Sequence, residues 1–510
     1  MEYLRKVLLN RLVLVSIALL AQLFVLIYVI KRFNDYFAFF YAISMVVSML
    51  VVLAILNNQS KPAYKIAWLI PILLFPIFGG LFYLFLGRSR LSKRSKKKMQ
   101  SIIEQTKEAF ADHPSLIETL RGQNRLAGNQ AKYIQDYSFS PLYANHEAEY
   151  LPTGERKFVR LMEELAKAQH YIFLEYYIIE EGLMWNSILQ LLQKKVAEGV
   201  EVRVIYDDVG CLLKLPFGYD KKLEAMGIKC SVFNPLIPVL TFKYNNRDHR
   251  KIAVIDGRVG ITGGINLADE YINENEKFGH WKDAAILIKG ESVWSLTVSF
   301  LTMWDYLRGL NEDFQVFKPE LGKPSVPQDG YVQPFSDSPL DDETVGETVY
   351  LNMISKAQHY VYITTPYLII DSEMIAALSA AAKSGVDVRI TTPHQGDRWY
   401  VHAVTRSYYK LLIENGIKIY EYTPGFVHAK TYVSDDQFGI VGTINMDYRS
   451  LYLHFECAVW LYGSKCVDAM KKDFLETQLH CKQITLTDFK RMRWVETLIS
   501  TILRIFAPLM

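Results

Sequence analysis

His249-Arg250-Lys251-Ile252-Ala253-Val254-Ile255-Asp256 and His428-Ala429-Lys430-Thr431-Tyr432-Val433-Ser434-Asp435 spell one pattern twice, H-x-K-x-x-x-x-D. After six further residues, each copy enters a glycine-containing turn that ends in asparagine, Gly263-Gly264-Ile265-Asn266 and Gly442-Thr443-Ile444-Asn445. A single copy arises by chance in roughly a few per cent of chains of this length. Two copies, each with its asparagine turn at the same internal spacing, mark a duplicated site.

The duplication extends outward. Ala166-Lys167-Ala168-Gln169-His170-Tyr171-Ile172-Phe173-Leu174 is echoed by Ser355-Lys356-Ala357-Gln358-His359-Tyr360-Val361-Tyr362-Ile363. Glu198-Gly199-Val200-Glu201-Val202-Arg203-Val204-Ile205 is echoed by Ser384-Gly385-Val386-Asp387-Val388-Arg389-Ile390-Thr391. Each half reads as helix, strand, helix ending at glycine, and strand, which predicts a layered α/β sheet. In each half the H-x-K-x4-D motif follows, its lysine leading into a further strand. The chain thus divides into a membrane segment (1–98), a helical connector (99–140), a first lobe (141–317), a proline- and serine-rich linker (318–342), a second lobe (343–485) and a C-terminal amphipathic helix (486–510). The two lobes are expected to face each other across a pseudo-twofold axis.

Of the 510 residues half are hydrophobic, and the longest apolar runs lie in the first 90. Leu12–Ile30 and Tyr36–Leu56 carry no charge, and each is long enough to cross a bilayer's roughly 30 Å hydrocarbon layer. Ile66–Leu86 is interrupted by Pro71, Pro76, Gly79 and Gly80, so it is read either as a third span, which is slightly favoured, or as a re-entrant or interfacial hairpin. The cluster from Arg88 to Lys98 attracts anionic headgroups at about 1 kcal/mol per basic residue and holds its side of the membrane cytoplasmic. The formal net charge of +3 gives no general attraction for nucleic acid. The five cysteines, scattered and without a C-x-x-C, read as reduced buried thiols.

The chemistry of the repeated residues suits a phosphodiester. A neutral imidazole can attack an anionic phosphorus, and a second must protonate the leaving alkoxide. Two histidines from two symmetric halves fill both roles. Lys251 and Lys430 supply positive charge for the non-bridging oxygens, and Asn266 and Asn445 can donate amide hydrogens to them. Asp256 and Asp435, grouped with these catalytic motifs, are expected to brace a loop more than to touch substrate. No metal-ligand spacing such as H-E-x-x-H is present, and no cofactor is called for. His170 and His359 read as helix-to-strand packing, and Asp207-Asp208 as an exposed loop end. The aromatic stretches Phe242-Lys243-Tyr244 and Trp399-Tyr400 read equally as lipid groove or core. In the last helix Val495, Leu498, Ile499, Ile502 and Phe506 share a face opposite Glu496, Ser500 and Arg504, suited to docking on either a membrane or the catalytic domain.

The paired motifs resemble the phospholipase D superfamily. Together with the apolar N-terminus, the Pro71–Gly87 run and the basic cluster, they resemble its bacterial cardiolipin synthases over nearly the whole chain. That resemblance implies transfer of a phosphatidyl group from one phosphatidylglycerol to another, giving cardiolipin and glycerol in the cell membrane. It also implies that His249 attacks to form a phosphohistidine while His428 acts as acid and then base. A downstream carboxylate orients each imidazole, and the matching residues are Asp283 and Glu456. The superfamily's usual G-S-x-N turn has Gly264 and Thr443 at the serine position, so the first half lacks that hydroxyl. The rival readings are a hydrolytic phospholipase D, a membrane-tethered nuclease and an inactive membrane scaffold.

Overall fold

The computed structural model describes residues 11–32, 37–58, 61–87, 93–110, 115–144, 146–236, 245–321, 329–341, 343–489 and 494–509. Phe242-Lys243-Tyr244 and Arg88–Leu91 lie outside them.

The soluble part is two mixed sheets with one strand order. In the first lobe the order is His146–Leu151, Ala285–Gly290, Val259–Gly263, Lys251–Ile255, Tyr171–Tyr176, Glu201–Asp207, Lys229–Phe233. In the second it is Tyr331–Asp337, His454–Tyr462, Phe438–Gly442, Thr431–Ser434, Tyr360–Thr364, Asp387–Pro393, Lys418–Tyr422, with Cys481–Ile484 added at the edge. In both, the helix-linked strands run parallel and the motif strand joins them antiparallel. Gly199 and Gly385 lie at φ +89° and +97°, which explains a glycine closing the second helix of each half.

Strand alternation sorts the side chains into layers. Ala253 and Ile255 face the helices of the first lobe, whereas Ile252 and Val254 face the other sheet and meet Val433, Val441, Val459 and Leu461. Helix Val293–Arg308, buried from Val293 to Asp305, contributes Phe300, Leu301 and Trp304 to that shared core. The lobes are therefore joined by an apolar interior, not merely tethered.

The stretch expected to be a linker is partly a strand. Tyr331–Asp337 pairs with His454–Tyr462 along its whole length, and its proline, Pro334, is tolerated because the strand lies at the sheet edge. The connector is helical, as Lys93–Ala109, Ile117–Gln123 and Arg125–Ser138, and its Leu120, Ala127, Ala131 and Ile134 enter the second lobe's core.

At the N-terminus, Arg11–Arg32 and Phe37–Leu56 are helices. Phe39–Leu56 is long and apolar enough to cross a membrane. The third apolar run is not one continuous helix. Pro62–Leu74 ends at Phe75, and Pro76–Phe82 folds back so closely that a Cβ on Gly79 would lie 2.5 Å from the Cα of Ile72. Thirteen residues rise only about 20 Å, so the backbone takes the hairpin form of the two readings. Lys61, at its start, is tied to the second lobe through Glu347 at 2.8 Å and Asp371 at 2.9 Å.

In the C-terminal helix Trp494–Phe506, Ser500 is buried, Leu503 packs on the second lobe and Arg504 lies over Tyr408, while Leu498, Ile499, Ile502 and Ile505 are exposed. Its polar face docks on the protein and its apolar face is turned outward. Four cysteines are buried, Cys481 is half-buried, and none is paired.

Candidate active site

The site is built by two short parallel ladders that cross between lobes. Arg247–Asp248, just before the first histidine, pairs with His454–Phe455, just before Glu456. Gly425–Val427, just before the second histidine, pairs with His280–Lys282, just before Asp283. Hydrogen bonds from His249 N–H to the Phe455 carbonyl (2.9 Å) and from His428 N–H to the Lys282 carbonyl (2.7 Å) extend each register by one residue. Each histidine is thereby set beside a carboxylate of the opposite lobe.

The side chains complete that exchange. His249 Nδ1 lies 2.9 and 3.0 Å from the two carboxylate oxygens of Glu456, and His428 Nδ1 lies 2.7 Å from Asp283 Oδ2. A carboxylate partner holds the proton on Nδ1 and leaves Nε2 with its lone pair. Both carboxylates are fully buried and both histidines nearly so. Burial, with the charges of Lys251 and Lys430, holds the His249 imidazole well below its ordinary value. Burial and Lys430 bring His428 down to about 4 against the pull of Asp283. At neutral pH both rings are neutral, as an attacking imidazole requires. His428 is among the charges that lower the proton affinity of His249, after burial and the two lysines.

The lysines are buried at the same place. Lys251 Nζ donates to the His249 carbonyl at 2.5 Å, and Lys430 Nζ donates to the His428 carbonyl and lies 2.9 Å from His428 Nδ1. Burial lowers Lys251 to about 8 and Lys430 to about 7. An arriving phosphodiester anion would restore full charge to both.

The motif aspartates are placed elsewhere. Asp256 accepts backbone N–H bonds from Gln169, His170 and Tyr171 at 2.7–2.8 Å, and Asp435 accepts the same three from Gln358, His359 and Tyr360 at 2.8–3.0 Å. Both sit at positive φ, 52° and 54°. They fasten the turn after each motif strand to the start of its neighbour. This also corrects the reading of His170 and His359: their side chains are exposed, and it is their backbone N–H groups that the repeat preserves.

Asn266 is largely engaged within its own lobe, accepting from Ile178 N–H at 3.0 Å and donating to the Tyr271 hydroxyl at 2.7 Å. Asn445 is buried with its Oδ1 unpartnered. The different turn residues follow from the different carboxylates. A Cβ on Gly264 would lie 2.1 Å from Asp283 Oδ1, whereas the Thr443 hydroxyl donates to Glu456 Oε2 and receives Cys457 N–H at 3.0 Å.

Asp207 and Asp208 are buried, not exposed. Asp207 caps the following turn through Val209 and Gly210 N–H, and its Oδ2 holds Asp248 N–H (3.1 Å) and Arg247 Nε (3.2 Å). Reading the sequence alone missed His454, whose ring lies 5.6 Å from that of His249, and Arg247, Arg398 and Arg449, which line the cleft beside His249. None belongs to a repeated motif. His249, His454 and Glu456 could each present a ligand atom to a cation, and these atoms lie within 4.8 Å of one another. The Glu456 oxygens already serve His249 and Thr443, and two lysines stand beside them, which suits an anion better.

Around the histidines the walls are aromatic: Tyr177 lies 5.1 Å from His249, and Tyr271, Trp281 and Phe426 lie 5.6, 5.4 and 5.9 Å from His428, ring to ring. This is a buried, duplicated pair of imidazole–carboxylate dyads with two lysines.

Sequence comparison gives the same duplication. The family described as "Cardiolipin synthase, PLD-like domain" matches residues 161–304 and again 350–478. The chain belongs to the cardiolipin synthase family. Within that family it is 36% identical over 463 residues to a cardiolipin synthase of Geobacillus thermodenitrificans, covering 89% of this chain and 90% of that one. It is 32% identical over 481 residues to one from Halalkalibacterium halodurans, covering 93% and 94%. A Streptococcus mutans chain described as an uncharacterized protein is 45% identical over 465 residues, covering 90% of this chain and 99% of that one. Residues 46–88 match the family described as "Phospholipase_D-nuclease N-terminal". Among solved structures, phosphatidylserine synthase of Haemophilus influenzae shares the fold with a TM-score of 0.56 at 14% identity, covering 74% of this chain and 98% of that one. The cardiolipin synthase family thus contributes an enzyme of the phospholipase D superfamily with two like lobes, and a membrane location fits its apolar N-terminus.

Proposed function

We propose that this protein makes cardiolipin by moving a phosphatidyl group from one phosphatidylglycerol to another. The observation that carries the reading is the reciprocal pairing of His249 with Glu456 and His428 with Asp283, which supports one reaction centre shared by both lobes. One imidazole attacks phosphorus through Nε2, while the other, which takes up a proton at Nε2 once the bound phosphodiester anion offsets the two lysines, gives that proton to the departing glycerol oxygen. Lys251, Lys430 and the amides of Asn266 and Asn445 take up the charge that develops on the non-bridging oxygens. The second imidazole, now neutral, removes the proton from the headgroup hydroxyl of a second phosphatidylglycerol. That oxygen displaces the first imidazole from phosphorus. Neither step calls for a metal, a cofactor or nucleic acid.

Burial of the dyads among Tyr177, Tyr271, Trp281 and Phe426 disfavours water as the acceptor. The protein acts in the cell membrane as a multi-pass protein with its lobes on the cytoplasmic side, a reading supported by the apolar helices and the basic run that follows them.

The test is to incubate purified protein with labelled phosphatidylglycerol and separate the products by thin-layer chromatography. Cardiolipin with glycerol is expected. Phosphatidic acid would make the protein a hydrolase, and no turnover would make it a scaffold. Alanine at His249 or His428 should abolish the product.

A further inference from the structure

The two sides of this symmetric centre are not alike in charge. A cleft of about 310 Å³ opens beside His249 and Asn445, and its walls carry three guanidinium groups, Arg247, Arg398 and Arg449. The repeat places Phe426 opposite Arg247, each two residues before its histidine, and Glu270 opposite Arg449, each four residues after its asparagine. Near His428 the corresponding wall is aromatic. The positive cluster therefore belongs to one side only, and the symmetric chemistry above does not use it.

The arginines are held ready for an anion. Arg247 is buried and anchored through Nε to Asp207 at 3.2 Å and through Nη2 to the Asn234 carbonyl at 2.8 Å, yet its Nη1 is buried without a partner. The Arg449 side chain has no hydrogen bond or ion pair among the described residues, and burial with the nearby charges of Arg398 and Arg247 makes its proton less tightly held than usual. Arg398 is exposed, and among the described residues its one ion pair is with Asp397, at 4.0 Å. The one carboxylate lining the cleft, Asp447, is occupied as the cap of the helix that follows, accepting Ser450 N–H at 2.8 Å. Three guanidinium groups lining one cleft, Arg247 buried, Arg449 half-buried and Arg398 exposed, repel one another and are stabilised by an anion with several acceptor oxygens, above all a phosphate.

We propose that this cleft is a second phosphate subsite, which holds the headgroup phosphate of the acceptor lipid while its hydroxyl reacts. This rests on the reading under Proposed function. The product has two phosphates joined by one glycerol, so an acceptor phosphate must lie one glycerol away from the reacting phosphorus. The cleft touches His249 and Asn445, so an acceptor held there hands its proton to His249 and leaves His428 as the ring bonded to phosphorus, the reverse of the roles the resemblance implies. The acceptor oxygen bonds to phosphorus, its proton passes to the free imidazole, and the phosphorus–nitrogen bond breaks with its electron pair returning to the ring. Water and glycerol carry no phosphate and gain nothing from the arginines, so the subsite selects a phosphate-bearing alcohol. Ile369, Val401 and Ala507 give the cleft an apolar border, and Ala507 belongs to the turn that packs on helix Pro62–Leu74 of the membrane segment. The acceptor's acyl chains thus have a path toward the bilayer.

The test compares acceptors of the same phosphatidyl group, using full-length protein in phosphatidylglycerol–detergent micelles. Wild type should transfer to glycerol phosphate at least about tenfold better than to glycerol at equal concentration, and inorganic phosphate should inhibit cardiolipin formation while sparing labelled-glycerol exchange. Arg449→Gln and Arg398→Gln should lower cardiolipin formation about tenfold and abolish the preference for glycerol phosphate, with glycerol exchange kept within about twofold. Arg449→Lys, which keeps the charge, should recover part of the loss. Equal loss of exchange and cardiolipin formation, or no loss of either, would overturn the subsite. Inhibition by inorganic phosphate with no preference among acceptor alcohols would show an adventitious anion site and overturn it too. Wild type that makes phosphatidic acid and no cardiolipin would instead overturn the transferase reading, before any variant is made.

Discussion

Replacing Asp283 with asparagine changes one atom and should nearly silence the enzyme. Asp283 Oδ1 accepts the Ala284 N–H at 2.8 Å, while Oδ2 faces His428 Nδ1 at 2.7 Å. In Asp283→Asn the backbone N–H keeps the amide oxygen on its own side, so the NH₂ group turns toward the histidine. Two N–H donors would then meet at that distance in a buried site. An unpaired buried donor costs about 1–3 kcal/mol, so the ring proton moves to Nε2 and the lone pair needed for chemistry is lost. Loss of the carboxylate also removes the charge that stabilises the imidazolium when His428 takes a proton or bonds to phosphorus, worth about another 1.5–3 kcal/mol. Together these come to about 2.5–6 kcal/mol in the barrier, or a rate about 10²–10⁴ lower. The assay is the initial rate of cardiolipin formation, with circular dichroism to show that the variant is folded. A folded Asp283→Asn enzyme with more than about a tenth of the wild-type rate would refute the reasoning.

Gly264→Ser should disable the enzyme by driving a Cβ into Asp283 Oδ1, whereas Thr443→Ser, which keeps the hydroxyl on Glu456, should stay active; product assays on both variants decide this. Because His428 falls from 6.5 to about 4 on folding, the unfolded chain binds more protons between those values. Stability should therefore rise with pH across that window, by about 3 kcal/mol from this group, and denaturant melts at pH 4.5 and 7 measure it. Lys61→Ala leaves Glu347 and Asp371 facing each other with only the Tyr452 hydroxyl between them, 2.8 and 2.9 Å away. It should cost about 3 kcal/mol and lower the melting temperature, and Lys61→Arg should recover most of the loss.

Much of this was legible because duplication leaves a local trace. The repeated helix–strand lettering predicts both sheets, and H-x-K-x4-D with its asparagine turn predicts where the imidazoles lie. The cross-lobe exchange could not be read, because the ladders from Arg247 to His454 and from Gly425 to His280 join residues far apart in the chain. Pro334 hid a strand, since a proline argues for a loop unless the strand is known to lie at an edge. Asp207-Asp208 looked like a loop end because its partners, Arg247 and the Asp248 N–H, come much later in the sequence. The arginine cleft escaped for the opposite reason from the motifs: it is what the two halves do not share.

The central claim is that two imidazoles act in turn on one phosphorus atom, so transfer proceeds by two in-line displacements. The measurement that tests it most directly is the stereochemical course at phosphorus, using a phosphatidylglycerol whose reacting phosphate is a phosphorothioate of known configuration. Two successive inversions predict a product with configuration retained. A product of inverted configuration would mean direct attack by the acceptor on the donor, with neither histidine ever bonded to phosphorus.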